Sequence, residues 1–81
     1  MKTQNKQSHP DLSTFIESWE SPYVERHHVG LFSGGILHPR TMANLDAKGQ
    51  GPSKRIKIGN KVAYPVEELV TWMESRATVM D

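Results

Sequence analysis

The sequence predicts a mainly α-helical fold carrying one small β-hairpin, and three observations predict it. Leu12, Phe15, Ile16 and Trp19 fall at i, i+3, i+4 and i+7, as do Val66, Leu69, Val70 and Met73, the spacing of one helical face. Between these stripes, Pro39 opens a segment with Met42 and Leu45 at i, i+3. Arg55-Ile56-Lys57-Ile58 and Lys61-Val62-Ala63-Tyr64 then alternate around Gly59-Asn60, the pattern of two strands joined by a two-residue turn. At 81 residues the chain has length for one small domain.

Taken in order, residues 1–9 are polar and are expected to be a flexible N-terminus. Residues 10–21 hold the first amphipathic helix, with Pro10 suited to a first turn and Ser21-Pro22 as the stop. A helix this short is marginal alone, so its stripe must dock on this domain, a second copy or another protein. The domain proper is expected over 22–77, followed by a tail at 78–81. Its first helix is expected over about 23–33, with Val24, His28, Leu31 and Phe32 inward and Gly34-Gly35 ending it. The helix from Pro39 to Lys48 turns Arg40, Thr41, Asn44 and Lys48 outward. Two short helices joined by a glycine-containing turn make a helix-turn-helix arrangement.

Gly49-Gln50-Gly51-Pro52 breaks the helical pattern and leads into the hairpin. Ile56, Ile58, Val62 and Tyr64 are expected inward, with the Lys and Arg side chains outward. The closing helix, Pro65–Arg76, has Glu67 and Glu68 in its first turn and Arg76 in its last, the order the helix dipole favours. The candidate core is Leu31, Phe32, Met42, Leu45, Ile56, Ile58, Tyr64, Leu69, Trp72 and Met73.

Charge supplies the functional signal. Ten Lys+Arg against nine Asp+Glu leave a net of +1, which as an average argues against a nucleic-acid partner. Divided along the chain, residues 1–37 carry three cations and four carboxylates, a net of −1, and residues 65–81 carry one against four, a net of −3. Residues 38–64 carry Arg40, Lys48, Lys54, Arg55, Lys57 and Lys61 against Asp46 alone, a net of +5. Those cations sit on one outward helix face and one hairpin. A major groove about 12 Å wide admits one helix, whose Arg and Asn can pair with guanine and adenine edges. Hydroxyls, cations and glycine-rich backbone approach phosphates. The expected partner is therefore double-stranded DNA, with Arg40, Thr41, Asn44 and Lys48 in the major groove. His38, Lys54, Arg55, Lys57 and Lys61 are the candidate backbone contacts.

Leu37-His38-Pro39-Arg40 followed by Thr41-Met42 resembles the start of the second helix in small MerR-like winged helix-turn-helix domains. Gly49–Pro52 with Arg55–Tyr64 is similar to that family's glycine-proline connection and wing, and Glu67-Glu68-Leu69 with Trp72-Met73 to its closing helix. Short single-domain versions are excisionases of phages and integrative elements, and AlpA-type prophage regulators. The resemblance spans about residues 23–76. It implies a winged helix-turn-helix fold in which Lys57, Lys61 and the Gly59-Asn60 tip hold the wing against the DNA backbone, and a recombination directionality factor acting architecturally with a tyrosine integrase. A domain this size touches few base pairs, so side-by-side copies on DNA are expected. The alternative it implies is a small transcriptional regulator. Leu45 and Asp46 depart from the aromatic and basic residues common there, and the turn Ser33–Leu37 is long.

Other classes find less support. No cysteine is present, which excludes disulfides and thiolate metal sites. His27-His28 are adjacent, about 100° apart on a helix, and neither has a His at i+4, so no metal site is expected. His9 and His38 are isolated. No GxxxxGK[ST], HExxH or GxSxG motif occurs, and Ser33 beside Gly34-Gly35 reads as a helix end, so neither an enzyme nor a cofactor is expected. A protein-interaction module is the remaining class, through the 12/15/16/19 stripe. No secretory signal follows Met1-Lys2 and no run reaches the roughly 18 apolar residues of a membrane span. A cytoplasmic bacterial protein, associated with the nucleoid when bound, is expected.

Overall fold

The computed structural model describes residues 10–80. The expected flexible stretch 1–9, with His9, and residue 81 lie outside the described residues. The chain runs α1 (Thr14–Glu17), β1 (Tyr23–Glu25), a 3₁₀ turn (Arg26–His28), α2 (Val29–Phe32), α3 (Pro39–Ala47), β2 (Ile56–Ile58), β3 (Lys61–Pro65) and α4 (Val66–Arg76). The strands form one antiparallel sheet in the order β1-β3-β2. Among the described residues this is a mixed α/β fold of four helices and a three-stranded sheet, which corrects the expectation of a mainly helical fold with a lone hairpin.

The third strand replaces the start of an expected helix. Tyr23-Val24-Glu25 alternates exposed, buried and half-buried, and pairs Val24 with Tyr64 across β3. Only Val29–Phe32 of the expected 23–33 helix is α-helical. Gly30 weakens that helix, and β3 offers the upstream residues a hydrogen-bonding partner. The helical phase therefore restarts at Val29. Val29 and Phe32 at i, i+3 are buried, while Leu31 points the other way and is 77% exposed. Leu31 is thus removed from the candidate core, and His28 is exposed as well.

The N-terminal helix is also shorter than the expected 10–21 segment. After Thr14–Glu17 the chain tightens, with Trp19 N–H donating to Ile16 O at 3.2 Å. The Trp19 ring then meets Phe32 edge-on at 5.4 Å, and its indole N–H donates to Tyr23 O at 2.9 Å. Leu12, Phe15, Ile16 and Trp19 all pack against the core of this chain. Glu74 on α4 accepts the Leu12 N–H at 2.7 Å and fastens the segment's start.

Val24, Val29, Phe32, Met42, Tyr64, Val66, Leu69, Val70 and Met73 form the core. All four stripe positions of α4 are in it, and Trp72 is half-buried beside them with the Arg76 guanidinium 5.3 Å over its ring. Leu45 and Ile56 are half-buried. Ile58, expected in the core, is 72% exposed. The strand register gives the reason: Ile56 pairs with Ala63, Lys57 with Val62 and Ile58 with Lys61. Directly paired residues share a face, so Ile56 and Ile58 lie on the face opposite Val62 and Tyr64. Among the described residues no helix is long and apolar enough to cross a membrane.

Candidate nucleic-acid interface

Helix α3 presents the first basic surface. His38 lies before it in extended conformation, and its Nδ1 accepts the Arg40 N–H at 3.2 Å. Pro39 takes the first helical position, where its missing N–H costs nothing. The bond from the Arg40 N–H to His38 satisfies one of the N–H groups the first turn of the helix leaves free. With about 100° between successive residues, Met42 and Asp46 point inward, Leu45 sits at the margin, and Arg40, Asn44 and Lys48 form one outward stripe. Thr41 borders that stripe, and all four of these polar residues are exposed.

The helix ends in a Schellman arrangement, Gly49 N–H to Asp46 O at 3.1 Å and Gln50 N–H to Leu45 O at 2.8 Å. The connection that follows is tied to α4 at two points. Trp72 donates its indole N–H to Gln50 O at 2.9 Å, and Ser53 Oγ donates to Glu68 Oε1 at 2.7 Å. Lys54 and Arg55 are exposed beyond it.

The hairpin presents the second surface. Gly59 takes φ 60° while Asn60 keeps negative φ, the requirement of a two-residue turn with glycine leading. Lys57, Gly59, Asn60 and Lys61 are all exposed. The same register that turns Ile58 away from the core splits the cations. Lys57 shares a face with Val62, and Lys61 lies on the other face with Ile58. Lys57 is exposed, whereas its cross-strand partner Val62 is half-buried.

The six cations of residues 38–64 enter no ion pair among the described residues; the pairs there are Arg26–Asp46 and His27–Glu25. Lys61 acts on Glu25 through space. Glu25 is held below the usual carboxylate range mainly by the His27 side chain, then by the His27 N–H, with Lys61 adding to the effect. Asp46, the one carboxylate of the segment, is buried.

Asp46 belongs to a cluster that sequence reasoning missed. Its Oδ2 accepts from Arg26 Nη2 at 2.6 Å and from the Tyr64 hydroxyl at 2.6 Å, and Arg26 Nε donates to the Tyr64 oxygen at 3.0 Å. Its Oδ1 is buried without a hydrogen-bond partner and faces Gly51, where an added Cβ would lie 2.0 Å away. Burial and the hydrogen bond to Asp46 push the Tyr64 hydroxyl up to about 12. Burial lowers the Arg26 guanidinium, but its bonds to Tyr64 and Asp46 outweigh that and leave it raised. Residues 26, 46 and 64 share no sequence spacing. The only signal was a carboxylate one helical turn after Met42, on the inward face.

His27 Nδ1 lies 2.7 Å from Glu25 Oε2, and His28 is exposed. Among the described residues no three His, Cys, Asp or Glu side chains are grouped to hold a metal. An apolar groove of about 400 Å³ lies among Leu12, Phe15, Leu37, Leu45, Trp72 and Met73. No protein-family model matches the chain, and neither does any curated protein.

Proposed function

We propose that this chain binds duplex DNA as a winged helix-turn-helix protein, with α2 and α3 as the helix pair and β2–β3 as the wing. The observation that carries the reading is the charge distribution in three dimensions. Six exposed cations free of ion pairs occupy α3, the hairpin and the link between them, and the segment's only carboxylate is buried against Arg26. A solvated surface of mixed charge has no need of that separation, whereas a polyanion does. Arg40, Thr41, Asn44 and Lys48 enter the major groove, where Arg40 donates to guanine O6 and N7 while Asn44 accepts from adenine N6 and donates to N7. His38, Lys54, Arg55, Lys57, the Gly59-Asn60 tip and Lys61 contact the sugar-phosphate backbone.

The biological role we infer from the resemblance to small excisionases is architectural. It acts as a recombination directionality factor of a mobile element, working with a tyrosine integrase and binding as side-by-side copies. A single copy covers few base pairs, so neighbouring copies supply the specificity. A small transcriptional regulator of the AlpA type is the alternative.

Selection from a random duplex library followed by binding of the selected site tests the reading. Arg40→Ala and Asn44→Ala should each weaken the selected site by about 1–3 kcal/mol and relax discrimination at one position. Lys57→Ala should weaken selected and unrelated duplexes equally. A library that yields no enriched sequence, or a uniform loss from Asn44→Ala, contradicts the assignment of α3 as reader. Excision reconstituted with the cognate integrase separates the two roles: stimulation by this protein supports the directionality factor, and none supports the regulator.

A further inference from the structure

The two basic surfaces belong to elements that meet through one buried polar cluster. Asp46 projects from the inner face of α3, directly behind the Arg40–Asn44–Lys48 stripe. Tyr64 lies on β3, the strand that β2 pairs with to make the hairpin, and its side chain is fully buried. Arg26 comes from the 3₁₀ turn after β1, the other neighbour of β3. One carboxylate oxygen, Asp46 Oδ2, receives both 2.6 Å bonds, and Arg26 Nε closes the triangle on the Tyr64 oxygen at 3.0 Å. Such bonds are directional where apolar contacts are not. Leu45 and Met42 can slide against the core, but Asp46 cannot turn without losing both partners.

The fourth side is closed by backbone. Gly51, in the connection between α3 and the hairpin, sits so close to Asp46 that an added Cβ would lie 2.0 Å from Oδ1 and 3.1 Å from Cγ. The path of the connection is therefore referenced to the same carboxylate. A buried ion pair of this kind seldom adds net stability over an apolar replacement. Its effect here is geometric.

We propose that Asp46, acting through Arg26 and Tyr64, is the positioning residue that sets the angle between the reading face of α3 and the hairpin, so that both meet one duplex together. The proposal rests on the duplex-binding reading for its consequence, but its geometric part stands independently of any ligand. With the angle fixed, seating α3 holds Arg55, Lys57 and Lys61 against the backbone at no further orientational cost. With the angle free, hairpin contacts form only part of the time and their contribution falls.

The isosteric pair Asp46→Asn/Tyr64→Phe removes the charge and the hydroxyl while keeping the buried volumes. Residual dipolar couplings on the free protein test the geometry. Amides of α3 and of β2–β3 should fit one alignment tensor in the parent and require two in the variant. On duplex DNA, the parent's slope of log affinity against log salt, about −5 for six cations, should drop to about −3 as three hairpin contacts are lost at roughly 0.9 each. Lys57→Ala, which weakens the parent, should have under a twofold effect in the variant background. A merely structural role lowers melting temperature but leaves the slope and the Lys57→Ala effect unchanged at temperatures where the variant is folded, and that outcome overturns the proposal. A single shared tensor in the variant overturns it too. If the double variant does not fold, Tyr64→Phe alone is measured in the same way, with the same outcomes deciding. A parent that shows no salt-dependent duplex binding refutes the DNA reading instead, and the dipolar couplings still decide the geometry.

Discussion

Gly51→Ala is expected to be among the most damaging single-atom additions in this chain, although glycine-to-alanine changes usually help. Gly51 has an ordinary negative-φ backbone, so alanine meets no conformational barrier there, and the loss of unfolded-chain entropy should stabilise by about 0.4–1 kcal/mol. The new Cβ, however, would sit 2.0 Å from Asp46 Oδ1, 3.1 Å from Cγ and 3.5 Å from Cα. Asp46 must swing away, and Oδ2 then leaves Arg26 and Tyr64. Two hydrogen bonds to a charged group, each contributing about 1.5–3 kcal/mol, are lost or badly bent. Net destabilisation is about 3–5 kcal/mol, a large share of the roughly 4–12 kcal/mol expected for a domain of this length. Gly30→Ala is the internal contrast. Its Cβ would meet Leu37 O at an ordinary 3.5 Å, and helical alanine should stabilise by about 0.5–1 kcal/mol. Urea unfolding followed by tryptophan fluorescence reads both. A Gly51→Ala midpoint within about 0.5 kcal/mol of the parent would refute the close packing of Gly51 on Asp46.

Three further outcomes follow from the same geometry. Ile58→Ala should change stability by less than about 0.5 kcal/mol because that side chain is 72% exposed, and a loss of 2 kcal/mol or more on unfolding would mean the hairpin register is shifted. Leu69→Ala, at a position with no exposure, should cost about 2–5 kcal/mol by the same measurement. Tyr64 has its hydroxyl raised from 10.0 to about 12, so folding favours the neutral phenol. That contribution is complete below pH 10 and disappears as pH rises through 12, and stability should fall by up to about 3 kcal/mol across that window. Tyr64→Phe should lack this component, so the difference between parent and variant in alkaline unfolding isolates it. An identical pH profile for the two would contradict it.

The legible parts of the fold were those where one local period decides the structure. The 66/69/70/73 stripe lies wholly in the core, and Pro39 and Gly49 bracket α3 because capping and termination are chemistry of adjacent residues. The Gly59-Asn60 turn was legible for the same reason. Residues 23–25 were not, since whether Val24 starts a helix or pairs with Tyr64 depends on a strand 40 residues away. That long-range pairing moved the phase of α2 and exposed Leu31. Ile58 was misplaced because alternation identifies a strand but not which face it buries, and the register of a two-residue hairpin fixes that only once both strands are aligned. Of the candidate site, the exposed cations were readable as a run of charge. Asp46 read as a blemish in that run and is instead the buried partner of Arg26, a pairing across twenty residues that no spacing announces.

The salt dependence of duplex binding tests the central claim most directly. Six cations, Arg40, Lys48, Lys54, Arg55, Lys57 and Lys61, are exposed and free of ion pairs within the described fold, and each phosphate neutralised contributes about −0.9 to the slope. Fluorescence anisotropy on a labelled duplex between about 50 and 200 mM salt should give a slope of log affinity against log salt near −5. A slope near zero, or no binding at the low-salt end, would contradict the account.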